Sequence, residues 1–192
     1  NVCVGHQSGR GAAPSAAGIA TGSFNTAIGV QALEKFTTCE GTVAVGMLAG
    51  GNITTGDSNV CVGYESGKNL TTGDKNVFVG TRSAYNTNTT TLSQCVAIGW
   101  SAGAGAGGGN VSIGNQALGW MGSGSTSNCV AVGNLAGFYM NGSQGSVAMG
   151  GYAGYNITTG DSNICIGRYS GYAVNTGTEN VMIGERAGYA IT

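Results

Sequence analysis

Residues 59–75 read NVCVGYESGKNLTTGDK, and residues 42–58, just before them, read TVAVGMLAGGNITTGDS. The opening nonapeptide of this stretch recurs eleven times. Copies begin at Asn1, Asn25, Thr42, Asn59, Asn76, Cys95, Asn110, Cys129, Ser146, Asn163 and Asn180. The commonest step between copies is 17 residues. The other steps, 24, 19, 15 and 19 residues, change length only after the nonapeptide. A short period with insertions confined to one segment is the mark of a solenoid.

Each position of the unit has a physical reading. Positions 2 and 4 hold Val, Ile, Met or once Thr, the alternation of a short strand with one buried face. Position 5 is Gly in all eleven copies, as expected where φ is positive or another backbone leaves no room for a Cβ. Position 8 is only Ala or Ser, which predicts a second strand starting where space is tight. Position 12 is apolar at Phe36, Ile53, Leu70, Met121, Met140, Ile157, Val174 and Ile191. Positions 13–16 read TTGD at 54–57, 71–74 and 158–161, a turn signature. The expectation is an all-β, parallel β-roll of about eleven coils, each made of strand, glycine turn, strand and TTGD turn. It forms a single domain over 1–192, a segment of a longer fibrous protein.

Position 3 should be polar if the roll is solvated outside, because it points away from positions 2 and 4. It instead reads Cys3, Ala27, Ala44, Cys61, Phe78, Ala97, Ser112, Ala131, Ala148, Cys165 and Met182. A strand apolar on both faces is covered on both faces. These eleven residues are therefore expected to meet another copy of the chain along the length of the rod.

Composition fits this frame. The chain has 192 residues, 38 of them Gly and one Pro, with 8% charged residues and a net charge of -1. That excludes a nucleic-acid binder, which clusters Lys and Arg against phosphates, and a polybasic membrane-surface protein. No apolar run approaches the roughly 18 residues that span a bilayer, so no membrane insertion by this segment is expected. Glycine-rich, weakly charged chains without a period tend to disorder, but here 23 of the 38 glycines sit at positions 5, 9 and 15.

The run N-[VT]-x-[VI]-G-x-x-[AS], with its N-T-T-G-like turn, resembles the head repeat of YadA-type trimeric autotransporter adhesins. It is equally similar to the NTAIG repeats of phage and algal-virus fibre proteins. The resemblance covers residues 1–191 and implies a left-handed parallel β-roll packed as a homotrimer. It also implies an extracellular appendage of a virion or cell, a rigid fibre presenting turn residues to a cell-surface receptor or glycan for host attachment. The unit departs from the 14-residue repeat common in adhesin heads, and this chain carries six cysteines where those heads carry few.

Chemical motifs are weak by comparison. Gly99-Trp100-Ser101-Ala102-Gly103 fits a nucleophile elbow, but that motif needs a strand-to-helix turn and a histidine base. The only histidine, His6, lies five coils away. Residues 103–108 fit G-x-G-x-x-G without the βαβ unit that motif requires. Eight acidic residues scattered over turns supply no carboxylate pair for glycan hydrolysis. No C-x-x-C pair suggests zinc, and Asp57, Asp74 and Asp161 read as turn residues rather than a calcium ladder. The cysteines read as small buried hydrophobes. The chain is expected to be no enzyme and to bind no cofactor or metal.

Phe138, Tyr155, Tyr172 and Tyr189 occupy position 10 in four consecutive coils, a predicted ladder with a step of about 4.8 Å. They serve either as a stabilising stack or, with Tyr152 and Tyr169 on the variable turn, as a recognition strip. N-x-[ST] triplets at Asn52, Asn69 and Asn156 share position 11 and are candidate glycosylation sites. The stacked pairs Thr37/Thr38, Thr54/Thr55 and Thr71/Thr72 admit an alternative reading as an ice- or surface-binding solenoid.

Overall fold

The computed structural model describes residues 1–11, 20–85, 91–103, 107–120 and 124–190. Position-12 residues Met121 and Ile191 lie outside them. Eleven three-residue strands follow one another: β1 (Val2–Val4), β2 (Thr26–Ile28), β3 (Val43–Val45), β4 (Val60–Val62), β5 (Val77–Val79), β6 (Val96–Ile98), β7 (Val111–Ile113), β8 (Val130–Val132), β9 (Val147–Met149), β10 (Ile164–Ile166) and β11 (Val181–Ile183). They form one parallel sheet in chain order, and no helix occurs among the described residues. The molecule is an all-β solenoid.

Register follows the repeat without slippage. Val43 pairs with Val60, Ala44 with Cys61 and Val45 with Val62. The register survives the irregular steps, with Cys3 opposite Ala27 across 24 residues and Ala97 opposite Ser112 across 15. Insertions leave the strands alone because each strand is held from both sides of the ladder. Position 2 donates its N–H to position 1 of the following coil, as Val60 does to Asn76 at 2.8 Å. The position-5 glycine donates back to position 4, as Gly63 does to Val45 at 2.8 Å.

The second wall departs from the expected second strand. Position 7 is left-handed in every coil although it is never glycine, with φ from 49° to 61° covering Gln31, Glu65, Arg82, Tyr152 and the rest of that column. Position 9 is left-handed in ten of the coils, whether Gly67 (φ 59°) or Leu118 (φ 47°). Extended backbone is what makes a strand, so a chain reversing hand at alternate residues builds a turn. This wall is still hydrogen-bonded coil to coil: the N–H of Gly50 meets the carbonyl of Ser66 at 2.9 Å, and Gly154 meets Ser170 at 2.8 Å. Among the described residues the roll therefore has one sheet and one ladder of turns, not two sheets.

The interior lies between these walls. Position 3 points into it, opposite position 8 and position 12. Ala27, Ala44, Cys61, Phe78, Ala97, Ser112, Ala131, Ala148, Cys165 and Met182 are all buried within the single chain, and only Cys3, in the first coil, is exposed. This corrects the expectation that position 3 meets another copy, since side chains with no accessible surface have none to offer. Positions 2 and 4 instead face outward. Position 8 closes the interior from the far wall, where Ser66, Ser83 and Ser170 donate their hydroxyls to the position-3 carbonyls of Phe78 (2.9 Å), Ala97 (2.6 Å) and Met182 (2.8 Å).

Position 1 supplies a buried polar spine that the sequence reading did not assign. Asn59 donates its side-chain amide to the Gly73 carbonyl at 2.8 Å, and its Oδ1 accepts the N–H of Asn76 at 3.0 Å. Asn76 repeats this with the Leu92 carbonyl (2.7 Å) and the Cys95 N–H (3.0 Å). Asparagine carries both a donor and an acceptor in one short side chain, so one residue stitches a turn and the next coil together. The signal was present as Asn at position 1 in seven of the eleven copies.

Left-handed backbone also recurs just before position 1, at Phe24 (φ 62°), Gln94 (φ 61°) and Glu179 (φ 59°) among others. A non-glycine residue there is strained by about 1–2 kcal/mol, against about 0.5–1 kcal/mol of chain entropy for glycine. The triple variant Phe24→Gly, Gln94→Gly, Glu179→Gly is expected to gain about 1.5 kcal/mol and raise Tm by about 4 °C in thermal unfolding. No gain would mean that these residues are not strained.

Candidate functional site

Two surfaces stand out. The first is the outer face of the sheet, made of positions 2 and 4 of β1–β11. Every one of its 22 side chains is Val, Ile, Met or Thr, and none is charged. They are half-buried or exposed; Ile98 at 37%, Ile113 at 38% and Met149 at 41% are typical. With eleven strands about 4.8 Å apart, this makes an uncharged ribbon roughly 50 Å long on one side of the molecule. Contiguous apolar patches of this kind mark interaction surfaces.

The second surface is aromatic and occupies the C-terminal half of the second wall. Phe138, Tyr155, Tyr172 and Tyr189 form the expected ladder, with centroid steps of 5.5, 5.2 and 5.1 Å and interplanar angles of 10°, 3° and 6°. Tyr152 and Tyr169 stack beside it at 5.1 Å, the first meeting Tyr155 at 5.5 Å and the second meeting Tyr172 at 5.6 Å. Tyr139 joins edge-on to Tyr155 at 5.1 Å, and Trp120 extends the cluster beyond Tyr139. Partial burial, followed by the neighbouring phenols, pushes the Tyr155 and Tyr172 hydroxyls above the usual phenol range. Arg168 lies 4.7 Å from the Tyr169 centroid, and Arg186 lies 5.9 Å from that of Tyr189.

The N-terminal half of the same wall carries charge instead. Glu65, 5% exposed, accepts from Lys68 Nζ at 2.8 Å and Arg82 Nε at 2.9 Å. The Lys68 hydrogen bond first, and then Arg82, hold its carboxyl below the usual carboxylate range against the effect of burial. Arg82 also lies near the rings of Tyr64 and Tyr85. Both cations are satisfied by one acid, so this cluster fastens coils 4 and 5 to each other.

The other candidates are occupied by the fold. The Oδ1 atoms of Asp57, Asp74 and Asp161 accept backbone N–H groups of Glu40 (2.7 Å), Asp57 (2.8 Å) and Gln144 (2.7 Å), joining turn to turn. Among the described residues no cluster of His, Cys, Asp or Glu is arranged to hold a metal. Thr37, Thr54 and Thr158 donate their hydroxyls to carbonyls of the following coil at 3.0–3.1 Å. Asn52 and Asn69 are half-buried and donate their side-chain amides to Asn69 and to the Tyr85 carbonyl; Asn156 is half-buried beside the Tyr ladder. Ser101, the serine of the elbow-like motif, sits in the left-handed turn at position 7 (φ 49°).

No disulfide joins the six cysteines. Burial pushes the Cys61 thiol up to about 12 and the Cys165 thiol to about 11; burial, then Asp57, brings Cys39 to about 11. Burial also raises Cys95 and Cys129. The thiolate is the reactive form, so these five should be inert in the folded chain. Titration with a thiol-specific disulfide reagent at pH 8 is expected to label one cysteine, Cys3, when native and all six in denaturant. Rapid native labelling of two or more would contradict this packing.

No protein-family model, no curated protein and no solved structure matches this chain.

Proposed function

We propose that the chain is a stretch of rigid fibre in which three copies, each a left-handed roll, associate along the uncharged sheet face. The fibre stands on a virion or cell surface and leaves its second wall free to meet a receptor. The observation that carries this reading is the double row at positions 2 and 4, Val or Ile except at Thr26 and Met149, uninterrupted by charge over all eleven strands. Covering a half-exposed Val or Ile is worth about 1 kcal/mol. Eleven coils therefore sum to more than the roughly 4–15 kcal/mol that association costs. Threefold closure rests on the resemblance of the NVxVG unit to trimeric fibre heads, where each narrow ribbon touches two neighbours about one axis.

The low charge supports the same reading, because like charges stacked every 4.8 Å or so along a rod would repel at each coil. Sedimentation equilibrium is the test. A single species of three times the 18.9 kDa chain mass is expected. A folded, soluble monomer at micromolar concentration would overturn the proposal.

A further inference from the structure

We infer that the tyrosine strip of the last four coils is a binding site for a linear, extended β-linked polysaccharide lying parallel to the rod axis. The inference rests on the proposal that the sheet face is covered by other copies, which leaves the second wall as the surface open to ligands. Within the position-10 column the rings lie face to face, at 3° to 10° to one another. Their faces are consumed by the stack, and what remains for a ligand is a row of ring edges and phenolic hydroxyls. Stacking of a sugar on a single ring face is thereby ruled out along the column. Recognition has to run through hydroxyls repeated at the coil spacing.

That spacing selects the ligand. The ring centres of the three successive phenols, Tyr155, Tyr172 and Tyr189, advance by 5.2 and 5.1 Å, which is the advance of one sugar in an extended β-1,4-linked hexopyranose chain. An extended peptide advances about 3.3 Å per residue and a duplex nucleic-acid strand about 3.4 Å per phosphate, so both fall out of step within two coils. A sugar polymer stays in register with all of the phenols, each meeting one residue's hydroxyl edge. The second column, Tyr152 and Tyr169 at 5.1 Å, keeps the same step and widens the contact to two rows. Tyrosine suits this role because a phenol both donates and accepts a hydrogen bond and loses little conformational freedom. Here the stack has already fixed the rings. Arg168 and Arg186, held against Tyr169 and Tyr189, add donors on the same flank.

The test uses the whole chain and the double variant Tyr155→Phe, Tyr172→Phe, which keeps the ring stack and removes two hydroxyls. Calorimetric titration with cellohexaose is expected to show saturable binding. Maltohexaose, whose α-linkages coil the chain out of register, is expected to bind at least tenfold more weakly. The double variant should lose about tenfold in affinity for cellohexaose with its melting temperature unchanged. Absent binding, equal affinity for the two hexaoses, or unchanged affinity in the variant would each overturn the inference. So would a variant that dissociates the oligomer, since the strip would then be a contact between copies. Sedimentation of the same samples reports the fibre proposal separately: a trimer that ignores cellohexaose sinks the glycan site alone.

Discussion

The triple variant Val45→Glu, Ile113→Glu, Ile166→Glu is expected to fold as well as the parent chain and to sediment as a monomer. All three side chains lie on the outer sheet face, half-buried or exposed in the single chain, so a carboxylate there meets water and leaves the interior untouched. In an assembly closed on this face each substitution places three carboxylates about one axis with no partner. An uncompensated buried charge costs about 3–5 kcal/mol, and three such layers remove association at any practical concentration. The control is a charge on the other wall: Asn134→Glu, exposed at position 6, should leave the oligomer intact. Circular dichroism establishes the fold, and sedimentation velocity reads the assembly. A triple variant that remains trimeric would remove positions 2 and 4 from the interface.

Gly80→Ala is expected to be strongly damaging, with a loss of about 4 kcal/mol or more in urea unfolding. Two effects combine at this position. Its φ is +128°, where side chains are strained by about 1–3 kcal/mol, and an added Cβ would lie 2.5 Å from the Gly99 carbonyl oxygen. That oxygen belongs to the backbone of the next coil. Relief therefore means separating two coils and stretching ladder hydrogen bonds worth about 1 kcal/mol each. Gly184→Ala separates the two effects. Its φ is +121° but nothing lies within 4 Å of the added Cβ, so strain alone remains and a loss of about 1–3 kcal/mol is expected. Equal losses at Gly80 and Gly184 would show that close coil approach plays no part.

The position-5 glycine was readable from sequence because one residue type answers both demands, positive φ and missing space. Position 7 was not readable for the opposite reason. Gln31, Glu65, Arg82 and Tyr152 adopt left-handed backbone there, yet none of these residues signals it, and the hydrogen bonds of neighbouring coils impose the conformation. A second strand was expected in its place, since a tight Ala or Ser column after a turn looks the same in either structure.

The facing of the sheet was misread for a related reason. Apart from Thr26 and Ser112, positions 2, 3 and 4 are all apolar, so alternation marks two faces without saying which is inside. Size carries the missing signal. Position 3 is mostly Ala or Cys and position 8 only Ala or Ser, as needed where two walls meet closely, whereas β-branched Val and Ile fill the roomier outer face. The tyrosine column was placed correctly along the chain, but only the ring planes reveal that its faces are spent on one another.

Sequence alone determined the period, the count of strands, the glycine corner and the residues that stack in columns. Each of these follows from local backbone demands repeated at a fixed interval. Tertiary structure decided which apolar face is core, what the second wall is and which side chains remain available to a partner. Those outcomes depend on the distance between walls, and no single coil encodes that distance by itself.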